Sequence, residues 1–189
     1  MDKRPTICVF CGSSPGNDPA YAREAERFGA LLGQGGFNLL FGGGYVGLMG
    51  IVAHAARENG AYVTGILPEF LRHLEPPSHD AQRIVITADM HERKRLMLTH
   101  ADGFAILSGG LGTLDEFFEV LTSAQLKVFD KPIVAVDTLG IFAPLEALLD
   151  HLDAAGFLYN GAKSLYRRVA VPEQAIAALS ERLLRAPGT

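Results

Sequence analysis

Short, uniformly apolar runs alternate with longer segments of helical period along almost the whole chain, and this alternation restricts the fold more than any other feature. Thr6–Cys11, Asn38–Phe41, Ala61–Leu67, Arg83–Ile86, Phe104–Leu107 and Ile133–Val136 read as strands. They lack an in–out polarity pattern, as do strands covered on both faces of a parallel sheet. The first helix begins at Asp18-Pro19, an N-cap followed by proline at the first helical position. It carries Tyr21, Ala25, Phe28, Leu31 and Leu32 at helical spacing and stops at Gly35-Gly36. Further helices are expected at about 47–59, 90–100, 114–128, 141–154 and 172–185. The expected fold is therefore α/β, a Rossmann-like doubly wound parallel sheet with right-handed crossovers. The one loose stretch, Glu69–Asp80 with Pro76-Pro77-Ser78-His79, is too short to separate domains. It reads as a loop over the C-terminal edge of the sheet, where open α/β folds bind ligands. A single domain, 1–189, is expected.

Composition removes several classes of function. Seventeen basic against twenty-one acidic residues leave a net charge of −4, with no general basic surface for nucleic acid. No apolar stretch reaches the length of a membrane span, and Met1–Pro5 contains no apolar leader core. A soluble, cytoplasmic protein is expected. The two cysteines, Cys8 and Cys11, lie three apart in an apolar strand and so point to opposite faces. Neither a disulfide nor a zinc site suits them, and free thiols are the expected state. His91 has Arg95, not histidine, four residues on, and the six histidines do not cluster. No metal and no cofactor is expected.

Three loops leave strand C-termini carrying glycine: Cys11-Gly12-Ser13-Ser14, Gly42-Gly43-Gly44-Tyr45-Val46-Gly47 and Gly109-Gly110-Leu111-Gly112-Thr113. In a parallel sheet these ends share one edge, so the loops can form a floor where a ligand meets bare backbone. Each loop alone is also explained by a tight strand-to-helix turn. The second loop matches G-x-G-x-x-G, but it follows the second strand, and Pro68 stands where a dinucleotide site needs an acidic residue. No G-x-x-x-x-G-K-[ST] is present.

Residues 108–116, Ser-Gly-Gly-Leu-Gly-Thr-Leu-Asp-Glu, turn from a strand into a helix whose first turn is expected to carry two carboxylates. A helix N-terminus offers unpaired N–H groups and a positive dipole end, which suits a phosphate, with Glu116 beside it. Thr113-Leu114-Asp115-Glu116 also spells a capping box, in which Glu116 only satisfies the Thr113 N–H; the two readings are compatible. Asp89 and Glu92 look like the cap of the helix that opens at Met90. Arg93, Lys94 and Arg95 oppose its dipole, by roughly 0.3–1 kcal/mol each, unless an anion is recruited there. A solvated charged face is the plainer reading; Arg93 clamping a phosphate and Lys94 adding a point charge is the functional one.

Met90-His91-Glu92-Arg93-Lys94 and Ser108–Glu116 together resemble the paired motifs, M-H-x-R-K and P-G-G-x-G-T-x-x-E, of the LOG ("lonely guy") family. Cys11–Ser14, Gly42-Gly43-Gly44, Gly47-Leu48-Met49-Gly50, Thr122 and Ala124-Gln125-Leu126 extend the resemblance over about residues 6–150. The resemblance implies hydrolysis of the N-glycosidic bond of cytokinin riboside 5′-monophosphates, and of AMP, to free base and ribose 5-phosphate. It implies Arg93 and Glu116 as the catalytic pair. Gly109, Gly110, Leu111, Gly112 and Thr113 then match the phosphate loop, with Leu114 and Asp115 as further substrate-binding positions. Glu75, Lys94 and Thr122 are implied as further ligand contacts, with Gly12, Ser13, Gly43 and Gly44 on the glycine floor. A homodimer with its sites near the subunit interface is implied as well. Ser108 replaces the family's proline, and Ser123 stands where many members carry tryptophan. Tyr45 and Met90 are candidates to flank a flat base. Two alternatives remain open: a general AMP-nucleosidase-type hydrolase, and a non-catalytic binder of nucleotide or molybdenum cofactor. A lysine decarboxylase is disfavoured, because no lysine stands in a pyridoxal-phosphate context.

Overall fold

The computed structural model describes residues 4–158 and 162–184, so the expectations for Met1-Asp2-Lys3 and for a helix end at 185 lie outside the described residues. Seven parallel strands form one sheet: β1 (Thr6–Phe10), β2 (Asn38–Phe41), β3 (Val63–Pro68), β4 (Arg83–Thr87), β5 (Gly103–Ile106), β6 (Ile133–Val136) and β7 (Arg167–Val169). Their spatial order is β4-β3-β2-β1-β5-β6-β7. Six helices follow the alternation: α1 (Pro19–Gln34), α2 (Gly47–Glu58), α3 (Met90–His100), α4 (Leu111–Gln125), α5 (Ala143–Ala154) and α6 (Pro172–Leu183). The doubly wound expectation holds, with β7 added. That strand reads Arg-Arg-Val, lies at the sheet edge and buries only Val169, so it lacks the apolar run that marks the other strands.

Neighbouring residues of β1 face opposite cores. Ile7, Val9 and Cys11 join the cluster built with α1, α2 and α6, around Phe28, Leu32, Val52 and Leu179. Cys8 and Phe10 join the cluster built with α3 and α4, around Met97, Phe117, Val120 and Leu121. The two thiols are therefore free and buried on opposite faces, and burial pushes both well above the usual thiol range.

The sheet winds outward from β1 through β2, β3 and β4, and α3 then carries the chain back to β5 on the other side of β1. The connections part between β1 and β5, leaving a crevice at their C-terminal ends. The loop between β3 and β4 lies over this edge as a strap. It opens with a 3-10 turn, Glu69–Leu71, and is tied to the second glycine loop by a Gly44–Pro77 bridge. Ser78 N–H donates to Gly43 O at 2.8 Å, and Tyr45 N–H donates to Pro76 O at 2.8 Å.

Candidate active site

At the crevice, Gly12 N–H donates to Ser108 O at 3.0 Å and Leu48 N–H donates to Gly12 O at 3.0 Å, joining the β1 loop to the β5 loop and to α2. Gly47 permits this approach: its φ is +57°, and a Cβ there would fall 2.3 Å from the Ser13 carbonyl carbon. The last glycine of the G-x-G-x-x-G match thus serves loop packing.

The helix after Ser108 begins three residues earlier than expected. Gly110 is the N-cap, no side chain caps the helix, and the first turn carries no acidic residue. Two expectations are corrected by this: the two carboxylates stand in the second turn, and Thr113–Glu116 is not a capping box. Thr113 instead packs on Gly109, where a Cβ would fall 2.0 Å from the Thr113 Oγ1. The first intrahelical donor is Leu114 N–H, bonded to Gly110 O at 3.0 Å. By helix geometry the N–H groups of Leu111, Gly112 and Thr113 have no partner within the helix. They form a bare, uncharged anion seat.

Freed from capping, Glu116 turns to α3. Arg93 Nη2 donates to Glu116 Oε1 at 3.1 Å, with side chains only 8% and 9% exposed. The residues around Arg93 explain how α3 tolerates it. Asp89 accepts from Glu92 N–H and Glu92 accepts from Ala88 N–H, each at 2.8 Å, as expected for the cap. The anions recruited by Arg93 and Lys94 are the protein's own. Lys94 Nζ lies 3.2 Å from Asp115 and 3.3 Å from Glu119. Burial lowers the Lys94 pKa, but these two carboxylates outweigh it and raise the ammonium above its ordinary value. Arg95 takes the plainer reading, exposed and 3.9 Å from Glu92.

Arg93 and Glu116 line a cavity of about 250 Å³ with Gly12, Ser13, Glu75, Gly110, Leu111, Gly112 and Thr113. Burial pushes the Glu116 carboxyl up to about 7, and Arg93 only partly opposes it. A carboxyl that titrates near neutrality, next to a buried guanidinium and beneath a bare helix N-terminus, can exchange a proton with a ligand held on that helix end.

The other candidates are placed elsewhere. Gly109 lies on the wall of an adjoining recess of about 420 Å³ that shares Gly12, Ser13 and Gly110 with the cavity. Leu114 packs against the α3–α4 core. Gly43 and Gly44 sit behind the wall, Gly43 against Leu67 and Gly44 against Met49 and Glu75. Lys94, Asp115 and Thr122 are not on this chain's cavity wall: the first two pair with each other, and Thr122 is exposed further along α4. Sequence reasoning missed Met49 and Leu71, which line the cavity with Met90. The only signal for them was their neighbourhood, Met49 in the glycine-rich α2 start and Leu71 four residues before Glu75. Tyr45 lies against His79, ring centroids 4.1 Å apart, and does not line the cavity.

A family model described as "Possible lysine decarboxylase" matches residues 49–179. A cytokinin riboside 5′-monophosphate phosphoribohydrolase of Mycobacterium tuberculosis is 41% identical over 153 residues, 81% of each chain. The Oryza sativa subsp. japonica enzyme of that name, LOG, is 35% identical over 175 residues, 93% of this chain and 72% of its own. The chain belongs to the LOG family. Among solved structures, the molybdenum cofactor carrier protein of Chlamydomonas reinhardtii superposes with a TM-score of 0.75 at 22% identity, covering 97% of this chain and 100% of its own. The molybdenum cofactor binding protein of Rippkaea orientalis gives 0.73 at 24%, covering 97% and 99%. At these identities the likeness is one of fold.

As a LOG-family chain, the protein departs from the pattern at Ser108, whose buried Oγ has no hydrogen-bond partner while its carbonyl still holds Gly12. Among the described residues no lysine lines the cavity.

Proposed function

We propose that this protein hydrolyses the N-glycosidic bond of cytokinin riboside 5′-monophosphates, and of AMP, releasing the free base and ribose 5-phosphate. The observation that carries the proposal is the buried Arg93–Glu116 pair facing the uncapped start of α4 inside one cavity. The names of the family relatives support the same reaction.

The 5′-phosphate sits on the N–H groups of Leu111, Gly112 and Thr113, and its binding energy positions the ribose. As the bond from C1′ to the base nitrogen breaks, its electron pair leaves with the base and positive charge grows on the ribose ring. The Glu116 carboxylate stabilises that charge and takes a proton from the water whose oxygen bonds to C1′. The proton then passes to the departing base. A positioned base of this kind contributes about 10²–10⁴-fold. Arg93 holds Glu116 in place and favours its ionised form against burial. Glu75, Met49, Leu71 and Met90 form the remaining wall against which the base rests.

The proposal includes a cytoplasmic homodimer acting on a small nucleotide, with no nucleic-acid partner. Exposed Phe118, Leu126 and Val128 on and after α4 support a subunit contact there, and Thr122 lies on the same stretch. The test is chromatography after incubation with AMP, isopentenyladenosine monophosphate and the two matching nucleosides. Base release from the monophosphates alone is expected, and their ratio ranks the substrates. Equal release from the nucleosides refutes the phosphate seat. No release from any of the four moves the assignment to a non-catalytic nucleotide or molybdenum-cofactor binder.

A further inference from the structure

Gly42 follows the last residue of β2, is buried, and does not have a positive φ, so no turn requires glycine there. The requirement comes from α3. A Cβ on Gly42 would lie 2.6 Å from Arg93 Nη2 and 3.0 Å from Met49 Sδ. That Nη2 is the atom that donates to Glu116. The neighbouring glycines do not share this contact: a Cβ on Gly43 meets β3, and one on Gly44 meets Met49 and Glu75.

We propose that Gly42 is a positioning residue, its bare α-carbon being the seat across which the Arg93 guanidinium reaches Glu116. The proposal rests on Arg93 and Glu116 as the reacting pair, and adds a residue that is not itself on the cavity wall. A methyl group at position 42 meets Met49 Sδ as well, at 3.0 Å, but its closer contact is the guanidinium at 2.6 Å. Carbon contacts settle at about 3.5–4.0 Å, so the guanidinium must retreat by roughly 1 Å. A displacement of that size is enough to break the 3.1 Å hydrogen bond to Glu116.

The charged and titratable groups around Glu116 make this separation measurable. Arg93 and Lys94 come from α3, Asp115 and Glu119 stand on α4, Glu75 shares the cavity, the Cys8 thiol approaches from β1 and the Cys11 thiol from the residue just after it. Arg93 and Lys94 are the cations of this set, and Lys94 is held by Asp115 and Glu119. With Arg93 displaced, burial acts on Glu116 nearly unopposed and the carboxyl titrates higher.

The test is ¹³C NMR titration of the glutamate carboxyls in ligand-free protein, with Glu116→Gln identifying the resonance. Gly42→Ala is compared with wild type, and the same substitution is made in an Arg93→Met background. The expected result is a rise of about one pH unit or more in the Glu116 midpoint for Gly42→Ala, and no further rise when it is added to Arg93→Met. The acid limb of hydrolysis moves in the same direction. An unchanged midpoint in Gly42→Ala overturns the proposal, as does an equal shift in both backgrounds. The titration needs no turnover, so a protein without hydrolase activity still answers the question. If Gly42→Ala does not fold, Gly42→Ala with Met49→Ala is measured against Met49→Ala by the same criteria, since it relieves the sulfur contact and keeps the one to Nη2.

Discussion

Replacing Glu116 by glutamine tests the physical basis of the site without any substrate. Two effects compete at this carboxyl: burial disfavours the anion and the Arg93 guanidinium favours it. The structure decides for burial, with the carboxyl rising from 4.5 to about 7. Because the native value lies above the unfolded one, the native protein binds more protons between pH 4.5 and 7, and its stability falls as pH rises through that window. Each pH unit is worth about 1.4 kcal/mol, so this group contributes roughly 3 kcal/mol below pH 4.5 that is lost above pH 7. Glutamine keeps an oxygen for Arg93 Nη2 and does not titrate. Subtracting its stability curve from that of wild type cancels the other carboxylates and leaves the Glu116 contribution. The assay is urea unfolding at pH 4.5 to 8.5, followed by far-ultraviolet circular dichroism because the chain has no tryptophan, at one fixed protein concentration. The difference curve is expected to fall by about 3 kcal/mol and to flatten above pH 8. A flat curve refutes the burial argument; a curve of opposite slope shows that Arg93 outweighs burial. In the same variant, hydrolysis is expected to fall by about 10²-fold or more.

Three further outcomes follow from the same contacts. Arg93→Met is expected to cost about 3–5 kcal/mol at pH 9, where Glu116 is left as an unpaired buried charge, and less at pH 6, where the carboxyl takes a proton; urea unfolding at the two values checks it. Ser108→Ala removes a buried hydroxyl that has no partner and is expected to raise stability by about 1 kcal/mol, read as an increase in Tm. Gly47→Ala places a side chain at positive φ and against the Ser13 backbone. A loss of at least about 2 kcal/mol is expected, with a weaker KM for the monophosphate as the β1 loop shifts.

Much of the fold was legible because the relevant forces are local. Five of the seven strands are runs whose burial on both faces is written in their residue types, and Asn38–Phe41 and Ile133–Val136 form with the expected bounds. Arg83–Thr87 carries the same apolar signature but lies at the sheet edge, where Ile86 is exposed and only Thr87 is buried. Arg167–Val169 was not legible, since an edge strand with two exposed arginines carries no apolar signature. The start of α4 was misread for an instructive reason. Thr113-x-x-Glu116 satisfies the local pattern of a capping box, and no local rule says that Arg93 will claim the glutamate from another helix. The partners of Lys94 were hidden for the same reason, since its ion pairs with Asp115 and Glu119 join two helices.

The sequence by itself therefore determined the order of elements, the three glycine loops on one edge and the residue types available for chemistry. The tertiary structure decided which of them meet. Returning the chain from β4 to the far side of β1 opens the crevice and sets α3 beside α4, bringing Arg93 and Glu116 to 3.1 Å across twenty-three residues of sequence. It also decided the protonation of Glu116. Desolvation depends on everything packed around a group, and no spacing of residues along a chain records that sum.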